Sequence, residues 1–181
     1  MKMNVPNCLT LLRILMVPVF VVFMLVDIFG AADQYIAGVI FILASITDTL
    51  DGYLARKNNQ ITVFGKFMDP LADKLLVCSA MICLVELRLL PSWIVIIIVG
   101  REFIISGFRL IAAERGIVIA ASYWGKFKTV SQMIMVILLV FHFGGFFDIL
   151  EQIFIYLSVI LTVISLVDYM YKNKDILKDV H

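Results

Sequence analysis

Four aspartates lie close together in the sequence, in two pairs whose spacings are typical of one helix face. Asp48 and Asp51 are three residues apart, and Asp69 and Asp73 are four residues apart. Side chains at these separations are neighbours on a helix, so two adjacent helices would gather four carboxylates that repel one another unless a cation neutralises them. Oxygen ligands without a nearby histidine or cysteine favour Mg²⁺ or Mn²⁺. Because Mg²⁺ usually keeps positions for substrate phosphates, the cluster suggests phosphoryl chemistry.

Small residues accompany the acids on both predicted helices. Gly52 and Ala55 fall on the face of the first aspartate pair, and Gly65 stands one turn before Asp69. They leave room beside a metal for a flat group, such as a nucleobase, to lie close to the backbone. The alternative is that small residues only let the two helices pack closely, and the presence of the acids favours the binding site.

The composition shows which solvent must surround these helices. The chain has 181 residues, of which 62% are hydrophobic and 16% charged, and its mean hydropathy is +1.04. This leaves too little polar surface for a soluble globule, so the bilayer is the main solvent. The net charge of +1 gives no overall attraction to nucleic acid.

Uncharged runs predict six membrane spans. They are Ile14–Val26, Gln34–Thr47, Leu75–Val85, Leu89–Gly100, Thr129–Phe147 and Gln152–Val167. Only the fifth approaches the roughly 20 residues that a span requires, so the other helices must continue into charged neighbours. We therefore expect an all-α integral membrane protein, a single domain over residues 1–181, with a short N-terminal interfacial segment that contains Pro6 and Asn7.

The basic residues predict the orientation of these spans. Of the 15 lysines and arginines, all but Arg88 fall on one side of the six-span arrangement. The positive-inside rule makes that side cytoplasmic. Both termini and the aspartate cluster are then cytoplasmic, in a multi-pass protein of the cell membrane.

The acid cluster belongs to a longer pattern, D-x2-D-G-x2-A-R-x8-G-x3-D-x3-D, which resembles the signature of the CDP-alcohol phosphotransferase family. All eight of its positions are matched, by Asp48, Asp51, Gly52, Ala55, Arg56, Gly65, Asp69 and Asp73. The resemblance extends to the six spans, to the leading segment Pro6-Asn7-x-x-Thr10-x-x-Arg13 and to the sequence Gly100-Arg101-Glu102-Phe103.

The resemblance implies a cytidine diphosphate-lipid as donor, here CDP-diacylglycerol, with an alcohol as acceptor and CMP as leaving group. It implies that Asp48, Asp51 and Asp69 bind a divalent metal, and that Asp73 is both a ligand and the general base. Residues implied to contact the CDP-lipid are Asn7, Gly52, Ala55, Arg56, Thr62 and Gly65. Those implied to lie near the acceptor phosphate are Thr10 and Arg13. A homodimer is suggested by the resemblance alone.

A second group of charges indicates the kind of acceptor. Arg101 and Glu102 lie well inside the fourth span, where charged residues are functional candidates. A mutual salt bridge is the alternative, although adjacent helical residues point about 100° apart and pair poorly. With Arg109, Lys126 and Lys128 on the same side of the membrane, Arg101 could line a cationic pocket. Such a pocket suits glycerol 3-phosphate better than a neutral alcohol, although the two lysines are equally well explained as interfacial residues.

Two alternatives remain open at this point. Intramembrane acids and arginines also mark ion pathways, so a divalent-cation or phosphate transporter is the rival from another class. The far halves of the spans carry almost no charge, which favours a blind cavity open to the cytoplasm. The close alternative is a sister phosphotransferase that uses inositol phosphate, serine or phosphatidylglycerol as acceptor.

Overall fold

Six helices make up the described part of the chain, in which no strand occurs. The computed structural model describes the backbone of residues 5–57, 63–114, 116, 117, 119 and 122–174, and side chains over 7–47, at 68 and, within these ranges, from 71 onward. The helices are α1 (Val5–Leu25), α2 (Ala32–Lys57), α3 (Val63–Glu86), α4 (Ser92–Glu114), α5 (Tyr123–Phe141) and α6 (Phe146–Lys172). The prediction of an all-helical fold is confirmed over these residues.

Several helices run beyond the uncharged cores from which they were predicted. α2 continues through Asp48 and Asp51 to Lys57, and α4 continues through Arg101 to Glu114. Within the described ranges, three segments are long and apolar enough to cross a membrane: Asn7–Leu25, Tyr123–Phe141 and Phe146–Lys172. The fold is therefore that of a helical protein of membrane type.

The start of α1 corrects one prediction. The interfacial segment that should contain Pro6 and Asn7 does not stand apart, because α1 already begins at Val5. Proline is tolerated in the first turn of a helix, where its missing N–H would have no intrahelical partner. Asn7, Thr10 and Arg13 are consequently parts of one helix.

The loop between α5 and α6 corrects the prediction of the fifth span. The uncharged run Thr129–Phe147 is not one helix, since α5 ends at Phe141 and α6 begins at Phe146. His142 caps α5 in a left-handed conformation with φ of 37°, and Gly144 and Gly145 have φ values of 76° and 65°. Glycine adopts such angles without a Cβ clash, so the glycine pair reverses the chain inside an apolar run.

The first of two compact units contains α1, α2 and α3 together with the last turn of α5, Leu139–Phe141. One buried stripe follows α1 at spacings of three or four residues: Asn7, Thr10, Arg13, Val17, Phe20 and Met24. Phe20 packs against Phe41 of α2 with their ring centroids 5.9 Å apart. Gly38 of α2 lies against the ring of Phe141, which would overlap any added Cβ.

The second unit contains α4, the rest of α5 and α6. Ser131 and Ser158 pair across α5 and α6 with their Oγ atoms 3.0 Å apart, and His142 Nδ1 lies 3.0 Å from Glu151 Oε1. Because the residue number rises on α5 as it falls on α6, these two helices are antiparallel. α4 packs on α6 through Phe108, whose ring meets Tyr169 edge-on.

Candidate active site

The four aspartates occupy two helices of the first unit. Asp48 and Asp51 lie one turn apart in α2, Asp69 and Asp73 one turn apart in α3, and α2 and α3 are in contact. The side chain of Asp73 is described and is half-buried, whereas those of the other three aspartates lie outside the described side chains. The donor set consists only of carboxylates, which fits a hard divalent cation such as Mg²⁺ or Mn²⁺.

The remaining motif residues lie beside the acids along the chain. Gly52, Ala55 and Arg56 follow Asp51 within α2, and Gly65 belongs to the first turn of α3. The side chains of Ala55 and Arg56 are not among those described, and Thr62 lies outside the described residues altogether.

The polar half of α1 contributes three buried residues to the same unit. Asn7 is 2% exposed, while Thr10 and Arg13 are fully buried. A buried arginine requires compensating polar or charged neighbours. The first unit therefore combines a buried cation on α1 with the acid-bearing helices.

The register of α1 and α2 puts these residues at one height. The two helices are antiparallel and joined by a short turn, in which Asp33 Oδ2 accepts hydrogen bonds from the backbone N–H groups of Ile28 and Phe29. Arg13 precedes Phe20 by seven residues, and Asp48 follows Phe41 by seven. Each therefore lies about 10 Å along its helix from the Phe20–Phe41 pair, so the backbone of Asp48 is level with that of Arg13.

The second group of charges forms a network in the second unit. Glu102 Oε1 accepts from Arg101 Nη1 at 2.8 Å and from Lys128 Nζ at 2.5 Å. The expectation that neighbouring Arg101 and Glu102 pair poorly is wrong: both side chains are long enough to converge although their Cβ atoms diverge. Arg101 is 9% exposed and Lys128 3%, so Lys128 is not a lysine whose ammonium extends to the solvent.

Ser165 is a member of this network that the sequence motifs did not identify. Its Oγ accepts a hydrogen bond from Arg101 Nη2, and Ser165 is fully buried on α6. Ser158, Thr162 and Ser165 recur at helical spacing, and all three are fully buried. That row of small polar residues in an apolar helix is the signal that could have identified this face.

The other two predicted acceptor residues of the second unit have a different setting. Arg109 and Lys126 are exposed. The Lys126 ammonium lies 5.5 Å from the centroid of the Tyr123 ring, an arrangement that favours a surface cation–π contact. Two of the four predicted cations of the second unit, Arg101 and Lys128, thus pair with Glu102, whereas Arg109 and Lys126 lie at the surface.

A separate cluster stands at the α5–α6 connection. Possible ligand atoms of His142, Asp148 and Glu151 lie within 4.8 Å of one another. Glu151 is only 4% exposed, and both of its carboxylate oxygens lie within 3.2 Å of His142 Nδ1. This pair fastens the end of α5 to the first turns of α6.

Comparison with known proteins provides an independent result. The sequence model of the CDP-alcohol phosphatidyltransferase family matches residues 3–164. The chain is 43% identical to a CDP-diacylglycerol–glycerol-3-phosphate 3-phosphatidyltransferase of Bacillus subtilis, with 97% of each chain covered. It is 40% identical to the protein of the same name from Haemophilus influenzae, over 99% of this chain and 98% of the relative. A probable phosphatidylglycerophosphate synthase of Mycobacterium tuberculosis is 42% identical over 92% of this chain and 80% of the relative.

Proposed function

The chain belongs to the CDP-alcohol phosphatidyltransferase family, and from this premise we propose that it transfers the phosphatidyl group of CDP-diacylglycerol to glycerol 3-phosphate. The products are phosphatidylglycerophosphate and CMP, and the activity is a step of phospholipid synthesis. The observation that carries the proposal is the similarity over nearly the whole length to relatives that bear this activity in their names.

The donor is assigned to the acid-bearing helices. Asp48, Asp51, Asp69 and Asp73 would hold Mg²⁺ or Mn²⁺, which when bound offsets the negative charge of the diphosphate. Arg56 supplies a fork of N–H donors for a phosphate oxygen. The small residues Gly52, Ala55 and Gly65, with Asn7 and Thr62, complete the proposed CDP-lipid contacts.

Asp73 is proposed as the general base. Its carboxylate accepts the proton of an acceptor hydroxyl, whose oxygen attacks the phosphorus that carries the diacylglycerol. A new P–O bond forms to the glycerol oxygen, and the P–O bond to the departing CMP breaks. The side chain of Asp73 is only half-buried, so an acceptor hydroxyl can approach its carboxyl group.

The acceptor phosphate is assigned to basic residues. Arg101 and Lys128 are buried and both pair with the carboxylate of Glu102. Two positive side chains therefore share one negative one. Such a network carries a net positive charge that suits a phosphate dianion. Thr10, Arg13, Arg109 and Lys126 stay proposed contributors to the same recognition.

The membrane arrangement is part of the proposal. We place six spans in the cell membrane as one functional domain over residues 1–181, with both termini and the catalytic residues on the cytoplasmic side. The bias of basic residues supports this orientation, and the family match across both units supports the single domain. Acyl chains then enter from the bilayer and glycerol 3-phosphate from the cytoplasm. The homodimer is likewise a proposal, supported by family resemblance.

A direct assay tests the activity. The purified protein in detergent–lipid micelles, given CDP-diacylglycerol and Mg²⁺, is expected to release CMP only when glycerol 3-phosphate is added. Inositol phosphate, serine and phosphatidylglycerol serve as competing acceptors, and CMP is measured by chromatography. A preference for any of these three would refute the proposed acceptor, and no CMP release with any acceptor would refute the transferase.

The role of Arg101 has its own test. Arg101→Gln is expected to raise the KM for glycerol 3-phosphate about thirtyfold, because a charge-assisted bond to phosphate is worth roughly 2 kcal/mol. The KM for CDP-diacylglycerol should stay within a factor of about two, since donor contacts are assigned to other residues. Arg88→Gln, at an exposed position in the α3–α4 connection, is the matched control. An unchanged KM for glycerol 3-phosphate in Arg101→Gln would remove Arg101 from the acceptor site.

A further inference from the structure

The surroundings of Arg101 contain a residue whose role the family motif does not cover. We propose that Ser165 is a positioning residue for the acceptor phosphate: its hydroxyl fixes the Arg101 guanidinium in the orientation in which that cation meets the phosphate. The proposal rests on the proposed function, in which Arg101 binds the phosphate of glycerol 3-phosphate. Ser165 itself touches Arg101 and acts through it.

The guanidinium is held at both of its terminal nitrogens. Nη1 donates to Glu102 Oε1 at 2.8 Å, and Nη2 donates to the Oγ of Ser165. These residues come from α4 and α6, so the plane of the guanidinium is fixed by two helices and cannot rotate freely about the side-chain torsions. Ser165 fixes the cation without neutralising it, because a hydroxyl carries no charge.

These two bonds use two of the five N–H groups of the guanidinium. Among the residues that the structure describes, buried Arg101 Nε finds no hydrogen-bond partner, although Arg101 as a whole is 9% exposed. A buried donor without a partner is unfavourable, and an oxygen of a bound phosphate would satisfy it. The two bonds to Glu102 and Ser165 therefore orient the guanidinium and leave it with unused N–H donors.

Gly125 closes the third side of this arrangement. A Cβ placed on Gly125 would lie 3.3 Å from Arg101 Nη2 and 3.8 Å from Ser165 Oγ. The α5 backbone therefore lies directly against the hydrogen bond between Arg101 and Ser165. Three helices surround the guanidinium: α4 carries it, α6 accepts from it, and the α5 backbone at Gly125 lies so close that an added Cβ would make a tight contact with Nη2.

The alternative is that Ser165 has only a structural role, since buried serines can hold helices together in a membrane. The chain offers a matched control that tests this alternative. Ser158 is also fully buried on α6, and its Oγ lies 3.0 Å from Ser131 Oγ of α5. It makes an interhelical hydrogen bond as Ser165 does, but to a neutral partner. Replacing each serine by alanine removes the same atom from the same helix, and only one replacement releases a cation.

The experiment measures KM for each substrate, kcat and the midpoint of thermal unfolding for Ser165→Ala and Ser158→Ala in the full-length protein. Ser165→Ala is expected to raise the KM for glycerol 3-phosphate about tenfold, the usual effect of losing a bond to a charged group. Its kcat and its KM for CDP-diacylglycerol should change less than about twofold. Ser158→Ala should leave all three kinetic constants unchanged, with a similar loss of thermal stability.

Gly125→Ala is the second variant, which keeps the helix because alanine is a better helix former than glycine. Its Cβ would lie 3.3 Å from Nη2, a tight contact that should shift the guanidinium by a few tenths of an ångström. The KM for glycerol 3-phosphate should then rise severalfold while the unfolding midpoint is maintained. Equal KM values for Ser165→Ala and Ser158→Ala would overturn the proposal. If Arg101→Gln raises this KM and Ser165→Ala does not, the positioning role alone fails. If neither does, the acceptor role of Arg101 fails with it.

Discussion

Asp73→Asn is expected to lower the rate of CMP release about a thousandfold. Asparagine has nearly the same shape as aspartate, but it cannot accept a proton at neutral pH, and general-base catalysis contributes roughly two to four orders of magnitude. The substitution also removes one of the four proposed metal-binding carboxylates. The rate is measured as CMP formed at saturating concentrations of both substrates.

Two further measurements separate the base from the ligand. Turnover of Asp73→Asn is followed as the Mg²⁺ concentration rises: recovery of the rate would show that Asp73 acts through metal affinity, and a low plateau is expected for a lost base. Asp148→Asn makes the same chemical change at an exposed position of α6 and should leave turnover unchanged. Normal turnover in Asp73→Asn would eliminate the proposed base.

Removal of divalent cations is expected to abolish turnover. The acid pairs of α2 and α3 supply only oxygen donors, and four carboxylates without a cation would repel one another as well as the diphosphate of the substrate. EDTA should therefore stop CMP release, and Mg²⁺ or Mn²⁺ added in excess should restore it. The expected loss is at least about a hundredfold, because charge compensation of a phosphoryl group is worth several kcal/mol.

Binding can be measured without turnover. A ligand that binds only the folded state raises the unfolding midpoint, so Mg²⁺ is expected to stabilise the substrate-free protein and to lose this effect in Asp69→Asn. EDTA already saturated with Mg²⁺ is the control for effects of the chelator on micelles. Full activity after exhaustive chelation would contradict the metal-dependent mechanism.

Much of the fold follows from local patterns in the sequence. The absence of charge locates the cores of the helices, and spacings of three and four residues place each aspartate pair within one helix. Such patterns do not report backbone torsion angles. The run Thr129–Phe147 carries no Asp, Glu, Lys or Arg, which predicts one span. The chain nevertheless reverses within it, at Gly144 and Gly145 with their positive φ values, and hydropathy does not report these angles.

Part of the candidate site could likewise be predicted from local sequence patterns, and part could not. Arg101 could be selected from sequence because a charge deep in a span is costly. Its partner Ser165 could not be selected in this way, because it lies 64 residues further along the chain and no local spacing connects it with Arg101. The rule that adjacent helical residues pair poorly describes the directions of Cβ atoms, and Arg101 and Glu102 evade it through the length of their side chains.

The polar contacts along α6 have a mechanical consequence. Glu151, Ser158 and Ser165 bond to His142, Ser131 and Arg101 at three successive heights. Sliding α6 by one residue, about 1.5 Å, would stretch all three contacts together. A displacement of α6 should therefore carry α4 and α5 with it, so that the guanidinium keeps its setting.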